Sequence, residues 1–221
     1  MKFAIVTGGK INDKYVSGIL KNEKFDQIIA VDSGLDFFKR TNIKPNVIIG
    51  DFDSVDKDSK KYFDSKENIK WITLNPVKDD TDTEHAIHYA IDSGASYISL
   101  FGATGGRIDH LLANISLLGI GLEKNIPIIM QDSKNKVFML KDAKNFKIKN
   151  TKANNEDKKH FISLIPYTAE VKNVTLSGFK YPLHNYNMGG FNALGISNEI
   201  IGDFGIISFD KGILIVVEAI D

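Results

Sequence analysis

The chain has no cysteine in 221 residues, which excludes disulfides, thiolate metal ligands and a thiol nucleophile. It also has no excess of either charge. Lys and Arg number 28, Asp and Glu number 28, and the formal net charge is zero, so total charge gives no reason to expect nucleic acid as a partner. No apolar run is long enough to span a bilayer. The opening Lys2-Phe3-Ala4-Ile5-Val6-Thr7-Gly8-Gly9 turns polar too soon for a signal peptide and reads as a first strand and glycine turn. No membrane partner and a cytoplasmic location are the expectations. Tryptophan occurs once, at Trp71.

What is present is a strong alternation of patterns. Short β-branched runs at Phe3–Val6, Gln27–Val31, Val47–Ile49, Trp71–Leu74, Tyr97–Phe101 and Ile126–Met130 read as strands. Helical periodicity falls between them, at Asp13–Leu20, Leu35–Thr41, Ser59–Ser65, Thr83–Ser93 and Ile108–Lys124. Such alternation predicts a parallel sheet covered by helices, with loops after the strands gathered along one edge. Beyond about Asp132 the character changes. Phe161–Ile165, Glu170–Leu176, Phe204–Phe209 and Ile213–Glu218 read as short antiparallel strands, with Asp210-Lys211-Gly212 as a hairpin turn between the last two. The expected division is 1–135 as an α/β domain and 136–221 as a β-rich one, with a polar insert near 149–160.

Three loops carry chemistry. The strand Val47-Ile48-Ile49 breaks at Gly50 into Asp51 and Asp53. Residues two apart in extended chain point to one side, so both acids are expected to aim at one point beyond the strand's carboxyl end. Two carboxylates there need a cation or protons, and Mg²⁺ prefers such hard oxygen ligands. A second cluster, Lys78-Asp79-Asp80-Thr81-Asp82, precedes a helix; Asp79 and Asp82 would share a face over a first helical turn, with Thr81 or Asp80 capping it. The third is Gly102-Ala103-Thr104-Gly105-Gly106-Arg107-Ile108-Asp109-His110 between a strand and an apolar helix. Its backbone N–H groups and Arg107 suit phosphate oxygens, although neither GxGxxG nor the Walker pattern is matched. Each alone has a bland reading: a solvated acidic turn, a capped helix start, a glycine turn.

Together, GDFDS, KDxTD and GxTGGRxDH in this order resemble the thiamine pyrophosphokinase family. Val31-Asp32-Ser33-Gly34 looks like its early DGG-type loop, with Ser33 in place of the first glycine, and Gly195-Ile196-Ser197-Asn198-Glu199 looks like its SNE motif. The resemblance runs from the first strand to the last. It implies a Rossmann-like parallel α/β domain followed by an antiparallel β-sandwich, and transfer of pyrophosphate from ATP to thiamine, giving thiamine diphosphate and AMP. It makes Asp51, Asp53, Asp79 and Asp82 the candidate Mg²⁺ ligands and catalytic acids. Arg107 and the Gly102, Thr104, Gly105 and Gly106 loop would hold phosphates. Asp109 would orient Arg107 or bind metal. Asp32 would sit beside the nucleotide or the metal, Ser33 and Gly34 beside the nucleotide, with His110 either near it or packed structurally. His85 and His88, three apart on a helix, are expected to be solvated or packed, not ligands.

Ser197, Asn198 and Glu199 are the expected thiamine contacts, because a hydroxyl, an amide and a carboxylate suit an aminopyrimidine. Some family members place a late tryptophan against the thiamine ring; Trp71 lies in the first domain, so the stacking aromatic is unassigned. The resemblance also implies a homodimer. Two other readings fit part of the pattern. A DxD nucleotide-sugar transferase accounts for Asp51 and Asp53 but not for the other two loops. A non-catalytic nucleotide or thiamine sensor would be expected to have lost the acids that this chain keeps.

Overall fold

A computed structural model describes residues 1–77, 79–151, 159–189 and 193–221. The chain divides into two compact units, Met1–Ser133 and Lys134–Asp221.

In the first unit, β1 (Lys2–Val6), β2 (Gln27–Val31), β3 (Val47–Gly50), β4 (Lys70–Thr73), β5 (Tyr97–Phe101) and β6 (Ile128–Gln131) alternate with α1 (Asp13–Asn22), α2 (Leu35–Thr41), α3 (Lys57–Asp64), α4 (Asp82–Asp92) and α5 (Ile108–Lys124). The strands pair in parallel in the order β4-β3-β2-β1-β5-β6. Central strands carry apolar side chains on both faces, as a sheet covered twice requires: Phe3, Ile5, Ile48, Ile49, Ile98 and Leu100 are buried. Helix α4 shows the reason for its place. Thr81 caps it, its hydroxyl accepting the Glu84 N–H at 3.1 Å, and Thr83, Ala86, Ile87 and Ala90 form the buried stripe at helical spacing. Strand order reverses between β1 and β5, whose carboxyl ends are joined by hydrogen bonds from Thr7 N to Phe101 O and from Gly9 N to Gly102 O. That switch point is where an open α/β sheet leaves a crevice.

The strands of the second unit pair antiparallel. β7 (Asn135–Lys141), β13 (Ile213–Ile220) and β9 (His160–Pro166) pair in that order; β11 (Leu183–Gly189), β10 (Glu170–Ser177), β12 (Phe204–Ser208) and β8 (Phe146–Lys149) form a separate four-stranded sheet. Burial alternates along β9 and β12, the period of a strand with one covered face. The expected hairpin at Asp210-Lys211-Gly212 does not form. β12 pairs with β10 and β8, whereas β13 pairs with β7 and β9, so this turn carries the chain from one sheet to the other. Asp210 is tied to β10, accepting from Asn173 Nδ2 at 2.7 Å. The expected polar insert falls mostly on 152–158, outside the described residues. Among those residues no helix is long and apolar enough to cross a membrane.

Candidate active site

The carboxyl edge of β1, β2, β3 and β5 opens into a cleft of about 460 Å³, lined in part by Gly8, Asp32, Ser33, Asp82, Gly105 and Arg107. Three carboxylates converge beside it. Asp32 follows β2 in a single 3-10 turn, Asp51 follows β3, and Asp82 opens α4. One oxygen from each lies within 4.8 Å of the others. Burial, then a hydrogen bond shared with Asp82, then the charges of Asp82 and Asp51 push the Asp32 carboxyl up to about 8, against an opposing N–H from Phe52. Its Oδ1 is buried without a hydrogen-bond partner, although buried polar atoms are as a rule paired. Gly50 makes room for that oxygen: a Cβ there would stand 2.1 Å away. Crowded oxygens with a neglected lone pair suit a hard divalent cation, and the donor set fits Mg²⁺.

The acids expected at the metal are sorted differently. Asp53 is exposed, and its N–H turns back to Asp51 Oδ1 at 3.1 Å. The expectation that Asp51 and Asp53 share a side assumed extended backbone, but Phe52 between them has φ +64°, which rotates the chain out of the strand's alternation. Asp79 is also exposed and precedes the Thr81 cap, so no helical turn aligns it with Asp82. Asp80, the alternative cap, lines the cleft and lies 3.4 Å from His85 Nδ1. Its Lys78 neighbour is outside the described residues. His88 is exposed.

Opposite the acids runs the glycine loop. Gly102 has φ +68°, and a Cβ on it would meet Thr7 O at 2.1 Å, so only glycine permits the β1 and β5 loops to touch. Gly105, Gly106, Arg107 and His110 line the cleft. Arg107 begins α5 without a side-chain cap of its own, leaving N–H groups at a helix start directed outward. Its exposed guanidinium takes both oxygens of Asp109, at 3.1 and 2.6 Å, and Asp109 also accepts the His110 N–H at 2.9 Å. Arg107 holds the Asp109 carboxyl down to about 2. Asp109 is thus paired with the arginine and with the first turn of α5. Thr104 donates its hydroxyl to Asp132 at 2.6 Å, while Gly34 is buried against the end of β1, where a Cβ would meet Val6 O at 2.3 Å. Sequence reasoning marked the Thr7–Gly9 loop but passed over Thr83 and Asn114. The two threonine hydroxyls meet at 3.1 Å, and Asn114 donates to Ala103 O at 3.1 Å. A lone amide within the apolar helix α5 was the legible signal.

In the second unit, Ser197, Asn198 and Glu199 differ from one another. Ser197 is exposed, has φ +59° and gives its N–H to Ser163 Oγ at 3.0 Å. Asn198 is buried, bridges to Ile162 by backbone, and uses both ends of its amide internally. Its Oδ1 accepts from Tyr181 N and Glu199 N at 3.0 and 2.9 Å, and its Nδ2 donates to Tyr181 O at 2.8 Å. Glu199 accepts from Lys180 Nζ at 2.7 Å. Thus Asn198 shapes the segment, and the residue it fixes is Tyr181, an aromatic that is 60% exposed.

Acids and an arginine-bearing glycine loop at the switch point of a parallel sheet define the class of α/β enzymes that handle phosphorylated ligands. The comparisons narrow this. Residues 20–130 match the family model for the thiamin pyrophosphokinase catalytic domain, and residues 146–214 match that for its vitamin B1 binding domain. Thiamine pyrophosphokinase of Bacillus subtilis (strain 168) is 35% identical over 193 residues, 87% of each chain. The crystal structure of thiamine pyrophosphokinase from Bacillus subtilis aligns at TM-score 0.88 with 33% identity, over 99% of both chains. That of thiamin pyrophosphokinase from Geobacillus thermodenitrificans aligns at 0.83 with 31% identity, over 99% of this chain and 97% of its own. The chain belongs to the thiamine pyrophosphokinase family.

Proposed function

We propose that the chain transfers the terminal pyrophosphoryl group of ATP to the hydroxyethyl oxygen of thiamine, releasing AMP, with 1–135 as the catalytic domain and 136–221 as the thiamine-binding one. The observation that carries this reading is the Asp32, Asp51 and Asp82 cluster beside the glycine loop, with an unpartnered buried oxygen in its midst. These three, not Asp53 or Asp79, are the proposed ligands of Mg²⁺. When bound, Mg²⁺ offsets charge on the nucleotide's phosphate oxygens. The thiamine oxygen forms a bond to the β-phosphorus while the bond from that phosphorus to the α–β bridging oxygen breaks, and that oxygen leaves with its electron pair on AMP. The alcohol proton passes to the pool of carboxylate oxygens around Asp32, Asp51 and Asp82. Arg107, held flat by Asp109, and the outward N–H groups of the loop stabilise the negative oxygens of the transferred group. Tyr181, fixed by Asn198, supplies an aromatic face for the cationic thiamine ring, with Ser197 and Glu199 at its polar edge. A cytoplasmic homodimer completes the reading, supported by the family resemblance.

Incubation with ATP, Mg²⁺ and thiamine, followed by product identification, tests it. AMP and thiamine diphosphate are expected. ADP with thiamine monophosphate would replace pyrophosphoryl transfer by phosphoryl transfer. A sugar-nucleotide reading, which leaves Arg107 and the second acidic segment unused, requires turnover without thiamine.

A further inference from the structure

Phe52 sits at the hinge between the acid that joins the cluster and the one that does not. Its φ of +64° lies in the left-handed region, where a bulky side chain is seldom found unless its surroundings hold it there. The surroundings are specific. Its ring meets Trp71 of β4 edge to face, with centroids 5.3 Å apart and planes at 72°. The Lys60 ammonium, from α3, lies 5.2 Å from the ring centroid. Both aromatic rings pack on the apolar cluster that includes Val55 and Phe63. The left-handed backbone directs two N–H groups toward the cluster. The Asp53 N–H returns to Asp51 Oδ1 at 3.1 Å, and the Phe52 N–H faces the Asp32 carboxylate, whose proton affinity it lowers. Relaxation of residue 52 to negative φ would redirect both.

We propose that the Phe52–Trp71 pair is a positioning clamp, whose ring packing holds residue 52 left-handed and thereby keeps Asp32 and Asp51 turned toward a shared cation. The inference rests on the reading of Asp32, Asp51 and Asp82 as cation ligands. It concerns neither ligand identity nor charge, but the conformational cost of the turn that presents them. Because Trp71 is the only tryptophan in the chain, its emission reports on the clamp directly.

The experiment uses the full chain and Mn²⁺ as probe, with free Mn²⁺ followed by electron paramagnetic resonance and Trp71 emission followed as Mg²⁺ is added. Phe52→Tyr keeps the ring and should bind Mn²⁺ as the wild type does. Phe52→Ala loses the ring yet retains the steric cost of positive φ, and should bind about tenfold more weakly or worse. Phe52→Gly loses the same ring but enters the left-handed region freely, and should recover most of that affinity. Wild-type Trp71 emission should shift saturably with Mg²⁺. Equal weakening in the Ala and Gly variants would overturn the clamp, since packing alone would then explain both. So would wild-type affinity in the Ala variant. Failure of the wild type to bind Mn²⁺ would overturn the cation reading itself and take the clamp with it.

Discussion

The acid cluster of the first unit and the Ser197-Asn198-Glu199 segment of the second solve opposite problems. At the cluster, carboxylates are crowded: three share a few ångströms, and one buried Asp32 oxygen has no partner. Around Asn198, every polar end of the buried side chain is matched by a backbone group. Folding alone does not favour the first arrangement, which costs charge repulsion and an unmade hydrogen bond. It favours the second outright. Unsatisfied groups held in place are therefore read as chemistry, and satisfied ones as frame. Activity and stability should respond in opposite directions in the two regions.

The sharpest break of this contrast is Asp51→Asn. Turnover should fall at least about a hundredfold, about 3 kcal/mol of transition-state stabilisation, because a ligand of the proposed cation is weakened. The thermal midpoint without added cation should stay level or rise, since one of the mutually repelling charges is gone. Steady-state kinetics beside a melting curve checks both. Near-wild-type turnover would remove Asp51 from the site, and a large loss of stability would mean that the cluster is frame after all.

Asn198→Ala is the mirror experiment. It strands the Tyr181 N–H and C=O and the Glu199 N–H, and should cost on the order of 2–3 kcal/mol of stability. The Michaelis constant for thiamine should rise and that for ATP hold. Tyr181→Ala should reproduce the thiamine effect at about 1–2 kcal/mol with little loss of stability, since the ring is largely exposed. If Asn198→Ala leaves denaturant midpoints unchanged, the satisfied network is not a frame.

Much of this was legible in the chain before its structure. The six parallel strands, the five helices and the three loops announce themselves, because each is a local pattern: a β-branched run, a 3.6-residue period, a glycine between strand and helix. Non-local facts were hidden. β11 has a polar, irregular stretch, Leu183-His184-Asn185-Tyr186-Asn187, and β7 and β8 are short runs set in a Lys-, Asn- and Asp-rich stretch; pairing with neighbours makes strands of them. The turn after β12 looked like a hairpin because its composition is a hairpin's, yet sheet membership is decided elsewhere. At the site, Asp32 is expected beside the nucleotide or the metal, while its membership of one three-carboxylate cluster with Asp51 and Asp82 is not legible. Its role depends on a pairing of β2 with β3 and on an α4 cap that no single motif contains. Asp53 misled for the converse reason: the alternation rule is sound for extended backbone, and Phe52 is not extended.

A pH experiment sharpens the comparison from the electrostatic side. Asp32, with a folded carboxyl near 8 and an ordinary unfolded one near 4, binds its proton more tightly when folded. Linkage then makes the cation-free protein most stable, as far as this group is concerned, below about pH 4, with stability lost progressively as pH rises toward about 8. Saturating Mg²⁺ should flatten that slope, and its binding at pH 7 should release protons, seen as a dependence of the calorimetric enthalpy on the buffer's ionisation enthalpy. No amide in the Asn198 network titrates, so destabilisation there by Asn198→Ala should carry no such pH signature. A slope that survives saturating Mg²⁺ would place the titrating group outside the cluster.

The smallest expected effect is the most discriminating for geometry. Asp53→Asn should change turnover by no more than about threefold, because an exposed carboxylate outside the cluster contributes only screened, long-range charge. Asp53 and Asp51 are the same residue type two positions apart in one loop, so composition and local charge predict equal effects. Only the left-handed Phe52 separates them: it aims Asp51 at Asp32 and Asp82 and leaves Asp53 in solvent with its N–H tied to Asp51. Measuring the two Asn variants side by side thus weighs backbone conformation alone. Comparable losses in both would mean that the turn reorganises when nucleotide binds and brings Asp53 inward. A loss confined to Asp51→Asn would mean that the arrangement of acids in the free protein is already the working one.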